Sequence, residues 1–320
     1  MNRLTKTKVR IIDEAKVRRL LKFPKAFDAI QQSYALFSDG KSTTPPTTAM
    51  KVNGGIFFCF SSHLHGSRFF ISKLATFYPA NREKGLPSIQ PRILVFDSAE
   101  GRLLAEIEAR YFAAIRTAIS SAVGVKHLLP KPPIQLAILG SGVQAESHAV
   151  VLTSLFHSLK EIRVYSPTLV RRKGFVERMQ KKLKGVAITD CETAELAIAD
   201  ADVVACVTDS KVPVFRPYTV KEGALILSVG SMGKEMQEIP DETMAESLVV
   251  VDSVNELSNY GEIAGPRSRG HTITIAGEIG EIISGKKQLE QENRIIVFKH
   301  HGLPVTDAAL AELLYLETEM

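Results

Sequence analysis

Three cysteines in 320 residues, Cys59, Cys191 and Cys206, are too few for a disulfide framework, and none forms a C-x-x-C pair. A reduced, cytoplasmic setting is the expectation. No apolar run reaches the ~18 residues that a membrane helix needs. The lysines and arginines near the start lead into no apolar stretch of signal-peptide type, so no membrane partner is expected. Charge is not one-signed either: 40 Lys and Arg stand against 35 Asp and Glu, a formal surplus of +5. The densest basic runs, Lys16 to Arg19 and Lys181-Lys182-Leu183-Lys184, hold no interleaved aromatics, which argues against a nucleic-acid partner. Two histidine pairs, His63/His65 and His300/His301, lack a third ligand at metal spacing, so no metal is expected. A composition that is 45% hydrophobic does support one large core or two modest ones.

The richest stretch is Ile134-Gln-Leu-Ala-Ile-Leu-Gly140-Ser141-Gly142-Val143-Gln144-Ala145. An apolar run of strand length enters a G-x-G-x-x-A turn and leaves on a helix-compatible segment, the context that makes the dinucleotide fingerprint credible. Gly140 permits the tight turn, Gly142 lets backbone approach a pyrophosphate, and Ala145 lets the helix lie close to the strand. The first N–H groups of that helix then face the phosphate charge. The following strand, Glu161–Tyr165, ends in Ser166-Pro167-Thr168 with Arg171 and Arg172 beyond. An NAD-type site places a carboxylate there for the ribose 2′-hydroxyl. Small hydroxyls and arginines suit a 2′-phosphate instead, so NADP(H) is the preferred cofactor and NAD(H) the alternative.

Before the fingerprint, helices are predicted over 15–21 and 23–37. Strand-like runs follow at 56–60, 69–75, 92–96 and 103–108, separated by turn residues. This reads as a mostly antiparallel sheet with N-terminal helices. A long helix over 113–129 stops at Pro130, Pro132 and Pro133. Thereafter strands at 161–165, 186–189, 202–207, 225–229 and 248–252 alternate with helices, the pattern of an α/β doubly wound parallel sheet. A strand at 295–298 and a helix at 307–317 close the chain.

Two cations stand in otherwise apolar runs. Lys73 lies within Phe69-Phe-Ile-Ser-Lys-Leu-Ala-Thr-Phe-Tyr78 and must reach water, a ligand or an anion. Arg116 lies among small residues in Ala113-Ala-Ile-Arg-Thr117-Ala and is placed to grip a carboxylate at two points, or to pair with a buried acid.

These segments, with Gly277-Glu-Ile-Gly-Glu-Ile-Ile-Ser-Gly285 and Phe298-Lys-His-His-Gly302-Leu-Pro-Val-Thr-Asp307, resemble the ornithine cyclodeaminase/mu-crystallin family in order and spacing over nearly the whole chain. The resemblance implies a homodimer. Residues 1–115 and 296–320 would form an α+β substrate-binding and dimerisation domain, and 116–295 the Rossmann NAD(P)-binding domain. It implies that Lys73 is the active-site lysine and Arg116 the arginine for the substrate carboxylate. Thr117, Val229, Gly230 and Asp307 would lie on the cofactor side, and His63 near the substrate. Glu278 and Glu281 fit packing on a helix better than acid catalysis.

Two departures from the family pattern narrow the chemistry. Thr47 stands where a second carboxylate-binding arginine is usual, and Arg92 is the candidate replacement. Met232 stands where cyclodeaminases resemble one another in carrying an aspartate, and a thioether moves no proton. The resemblance therefore implies NAD(P)H-dependent reduction of the C=N bond of a small, cyclic 2-imino acid. Amino-acid dehydrogenation or cyclodeamination, and non-catalytic NADPH-dependent ligand binding, are the competing readings.

Overall fold

The computed structural model describes residues 8–290 and 293–319, and near residue 110 the chain passes from antiparallel strands to strand–helix alternation. Two units result, one from residues up to Arg116 together with those from Gly302 onward, the other from Thr117–His301.

The first unit contains β1 (Arg10–Ile12), α1 (Glu14–Leu20), α2 (Phe23–Ser38), β2 (Ser42–Thr43), β3 (Thr48–Val52), β4 (Gly55–Leu64), β5 (Phe69–Phe77), β6 (Ile89–Asp97) and β7 (Leu103–Glu108). It also takes the start of α3 (Ala109–Leu128) and, from the C-terminal segment, α10 (Pro304–Glu317). Among the described residues the sheet order is β1-β7-β6-β5-β4-β2, with β3 also on β4; every pairing is antiparallel except β1 on β7. β5 alternates buried and half-buried residues, and its buried positions are Phe69, Ile71, Lys73 and Ala75. Register puts Phe60 and Ile93 beside Lys73 on this face, and α10 packs on β4 and β5 as well as on α2. The opposite face carries Phe57, Cys59, Phe70, Ser72, Leu74, Leu94 and Phe96, all half-buried. The predicted strands at 56–60, 69–75 and 92–96 lie inside longer ones and that at 103–108 coincides with β7, while β1, β2 and β3, short or at the sheet edge, escape the sequence pattern.

The second unit runs β8 (Gln135–Leu139), α4 (Val143–Leu155), β9 (Glu161–Tyr165), α5 (Leu169–Lys182), β10 (Ala187–Asp190), α6 (Ala194–Ile198), β11 (Val203–Cys206), β12 (Leu225–Ser228), α7 (Asp241–Glu246), β13 (Leu248–Val251), α8 (Gly261–Ser268), β14 (Thr274–Glu278), α9 (Ile279–Ile283) and β15 (Ile296–Lys299). All eight strands are parallel, in the order β10-β9-β8-β11-β12-β15-β13-β14. This is the Rossmann arrangement, with the order reversing between β8 and β11. Strands β11, β12, β13 and β15 are buried at every position, as a sheet covered on both faces requires. β15 lies between β12 and β13. Residues 296–299 therefore lie in the parallel sheet, and 296–301 fall in the second unit, so the first resumes at Gly302. Glu278 and Glu281 form the capping box of α9, a helix-starting role.

A buried hydroxyl ties three segments of this unit. Nδ1–H of His148 donates to the Gln144 carbonyl at 2.8 Å, which leaves its Nε2 to accept from Ser121 Oγ at 2.8 Å. Ser121 Oγ, with its one proton spent, accepts from Nε2–H of His300 at 2.8 Å. Burial holds the His148 pKa down to about 4. The unfolded chain takes up that proton near 6.5 and the folded chain only near 4, so stability falls as pH drops between them. The full loss is ~3 kcal/mol. Urea unfolding at pH 7 and pH 4.5 should show it, and His148→Gln should flatten the difference; an unchanged slope in that variant would show that His148 is not its source.

Candidate active site

In the second unit the fingerprint folds as its glycines dictate. Gly140 has φ +123°, a region closed to side chains, and a Cβ there would lie 2.8 Å from the Val207 carbonyl oxygen. Gly142 is the N-cap of α4, with no side-chain cap among the described residues. The first N–H groups of α4 are thus left for an anion. Val143 is exposed, Gln144 half-buried, and Ala145 is buried, as close helix–strand packing requires. These features fit a pyrophosphate cradle.

The turn after β9 departs in part from expectation. Ser141 Oγ donates to Ser166 Oγ at 3.1 Å, which fixes Ser166 beside the glycine turn. Arg172 is buried, with Nη1 on the Ser166 carbonyl at 3.0 Å and Nε on Asp190 at 3.1 Å. Its charge is therefore committed to shaping the turn and not to a 2′-phosphate. Pro167, Thr168 and Arg171 are exposed, and Thr168 is the N-cap of α5. Arg171 is the arginine with its head group in solvent.

At the carboxyl ends of β11 and β12 lies a buried charged group that sequence reasoning missed. Val229 is buried, and Gly230 packs so tightly that a Cβ would collide with the Thr208 carbonyl. The Glu238 carboxylate accepts from Thr208 N–H at 2.6 Å and Ser231 N–H at 3.1 Å. Glu262 in turn accepts from the Glu238 N–H at 2.5 Å. Lys299, at the end of β15, donates to Ser231 O at 2.7 Å and Ser231 Oγ at 3.0 Å. Burial pushes Glu262 up to about 7, offset in part by Lys299, and burial pulls Lys299 down to about 8, offset in part by the two glutamates. The signal available in the sequence was a lysine ending an apolar strand. Met232, just beyond this group, is exposed.

In the first unit Lys73 and Arg116 do come together, around a third residue. The Asp307 carboxylate accepts from Lys73 Nζ through Oδ2 and from Arg116 Nε at 2.7 Å through Oδ1. All three are buried, Asp307 completely. Gly302, with φ +76°, has no room for a Cβ because the Arg116 guanidinium lies against it. The Phe60 ring centroid is 4.5 Å from Lys73 Nζ. Burial lowers the Lys73 pKa, Asp307 opposes this, and Arg116 adds to it. Burial alone would raise Asp307; the charges of Arg116 and Lys73 win, and its pKa is lowered. The cluster thus carries one net positive charge in low dielectric, which suits an anionic ligand and a lysine poised to give up a proton. Asp307 had been placed on the cofactor side; here it pairs with both cations.

Arg92 and His63 do not join them. Register pairs Arg92 with Leu74 and His63 with Phe70, one residue out of step with Lys73, so both side chains lie on the other face of the sheet. Arg92 pairs with Glu108 at 2.7 Å and Glu106 at 3.7 Å, and His63 donates to the Ser67 carbonyl at 3.2 Å. Arg92 therefore does not stand in, within this unit, for the arginine absent at exposed Thr47. Thr117, next to Arg116 on α3, is buried.

The chain as a whole resembles known proteins in sequence and fold. The sequence profile of the ornithine cyclodeaminase/mu-crystallin family matches residues 6–319, and the chain belongs to that family. It is 35% identical over 245 residues to mouse ketimine reductase mu-crystallin, covering 76% of this chain and 74% of the mouse protein. The structure of Thermococcus litoralis Δ1-pyrroline-2-carboxylate reductase, in complex with NADH and L-proline, superposes with a TM-score of 0.92 at 30% identity, covering 97% of this chain and 98% of that one. An archaeal alanine dehydrogenase dimer with bound NAD gives a TM-score of 0.90 at 26% identity, covering 97% and 96%.

Removing one partner of a buried ion pair costs about 3–5 kcal/mol. Asp307→Asn should therefore lose stability of that order in urea unfolding, and should shift Lys73 deprotonation to lower pH because the one group raising its pKa is gone. A variant as stable as the parent would show that Asp307 does not hold the cluster.

Proposed function

We propose that this chain is a nicotinamide-dinucleotide-dependent reductase of small, cyclic 2-imino acids. The buried Lys73–Asp307–Arg116 cluster carries the reading, together with relatives that are ketimine and Δ1-pyrroline-2-carboxylate reductases. Arg116 and Lys73 supply the positive charge for the substrate carboxylate, and Asp307 keeps both oriented. Lys73, its pKa lowered by burial, donates a proton toward the imine nitrogen as that nitrogen becomes an amine. The dinucleotide, when bound through Gly140, Ser141, Gly142 and the first turn of α4, supplies the hydride. Holding the acceptor carbon at fixed orientation does the rest. Met232 offers no group to activate water, which favours C=N reduction over the oxidative deamination of an alanine dehydrogenase.

The cofactor we assign is NADP(H), with NAD(H) accepted, on the strength of exposed Arg171 beside the hydroxyls of Ser166 and Thr168. The partner we assign is a second copy of the chain. α10 packs on the Lys73 face of the sheet, and among the described residues the helices with the larger contacts to β4, β5 and β6 leave the half-buried outer face of Phe57, Leu74, Leu94 and Phe96 as a surface suited to meeting another subunit. A solution mass twice the 35.1 kDa of the chain is the expected result, and a monomer at micromolar concentration overturns it.

The reductase reading is tested by following NADPH oxidation with Δ1-pyrroline-2-carboxylate, Δ1-piperideine-2-carboxylate, and pyruvate plus ammonia. Turnover of the cyclic imines above pyruvate is expected. Charge-assisted hydrogen bonds of ~1.5–3 kcal/mol place the KM increase for Arg116→Ala at roughly tenfold to a hundredfold, with dinucleotide affinity unchanged. Arg171→Ala should narrow the NADPH-to-NADH preference. No turnover of any imine alongside tight NADPH binding would point instead to a ligand-binding protein.

A further inference from the structure

The charged group behind the loops of β11 and β12 has no part in the reaction just described, yet burying two carboxylates and an ammonium together is costly unless geometry demands it. Its hydrogen bonds go chiefly to backbone. Glu238 takes Thr208 N–H with one oxygen and Ser231 N–H with the other. Two loops that follow different strands are thereby joined through a single carboxylate. Lys299 and His301 secure the second loop from its carbonyl side, His301 Nε2 lying 2.6 Å from Ser231 O. The backbone N–H groups of residues 238 and 239 are themselves held by Glu262, at 2.5 Å and 3.2 Å, so the carboxylate projects from a fixed base. Gly230 completes the contact, since any side chain there would force Thr208 away.

Ligands of open parallel sheets bind outside the carboxyl ends of the strands, where the strand order reverses. Here that point lies between β8 and β11, where Val207, the residue before Thr208, donates its N–H to the Leu139 carbonyl at 3.0 Å and leaves no space for a Cβ on Gly140. The loops that Glu238 joins therefore continue the surface begun by the fingerprint turn. We infer that Glu238 is a positioning residue of the dinucleotide site, locking Thr208 and the Gly230–Ser231 loop into one preformed surface before the cofactor arrives. The inference rests on the dinucleotide reading of the preceding subsection. It adds that part of the affinity comes from preorganisation by a residue that does not touch the ligand.

Glu238→Gln keeps the shape but replaces one acceptor oxygen with an NH2 group, so one of the two loops is released. We expect the NADPH dissociation constant, by fluorescence titration, to rise at least tenfold. Substrate KM at saturating NADPH should stay within twofold, and amide exchange of Leu136–Leu139 should be unchanged. A folded variant that binds NADPH as the wild type does overturns the inference alone. A wild type that binds neither NADPH nor NADH overturns the dinucleotide reading and this inference with it. Should the variant not fold, hydrogen exchange of the cofactor-free wild type decides. The Thr208 and Ser231 amides are expected to exchange slowly without ligand, and exchange at the rate of an unstructured peptide would refute a preformed surface.

Discussion

Everything proposed for the first unit depends on one buried carboxylate held between two cations. Lys73 comes from the middle of β5, Arg116 from α3, and Asp307 from the first turn of α10, so three elements far apart in sequence are fixed by the same ionic contact. Neither cation would persist in that interior uncompensated, because burying an isolated charge costs more than any local packing returns. The pair is neutralised by one, not two, and the residual positive charge is what makes the cluster attractive to an acid.

The second unit solves a comparable problem with backbone. Its glycine turn at Gly140–Gly142 offers N–H groups and space, and its flanking loops are disciplined by Glu238, Glu262 and Lys299. Ser121, His148 and His300 add a neutral relay that ties α3 and α4 to the segment after β15. The two networks are separate in sequence and partners, and directional hydrogen bonds of this kind are how buried polar groups specify one arrangement.

Much of this could be read from the chain itself. The strand-turn-helix sequence around Gly140 announced a dinucleotide fold because glycine spacing and apolar periodicity agree there. Lys73 and Arg116 stood out as charges in apolar surroundings. What failed was parity and partnership. Arg92 and His63 are one register step from the Lys73 face, and no propensity reveals which face of a half-buried strand a given residue takes. Arg172 and Arg171 are neighbours with opposite fates, the first buried against Asp190 and the second in solvent, because a helix turns by about 100° per residue. The resemblance puts Asp307 on the cofactor side, and nothing local in the chain pairs it with Lys73 and Arg116, some two hundred positions away. Sheet order was equally hidden: β14 is an edge strand, and nothing local in Ile296–Lys299 tells it to enter the sheet between β12 and β13.

That insertion governs how the chain is born. A ribosome delivers residues from the amino end, yet a middle strand of the parallel sheet is the last of its strands to emerge, and the helix bearing Asp307 comes later still. Neither sheet-bearing unit can close around these contacts until residues 296–307 have been made. Until then β12 and β13 present unpaired edges that invite wrong partners. The nascent polypeptide thus holds both units unfinished until one short segment arrives, and that segment supplies a central strand to one unit and a buried carboxylate to the other.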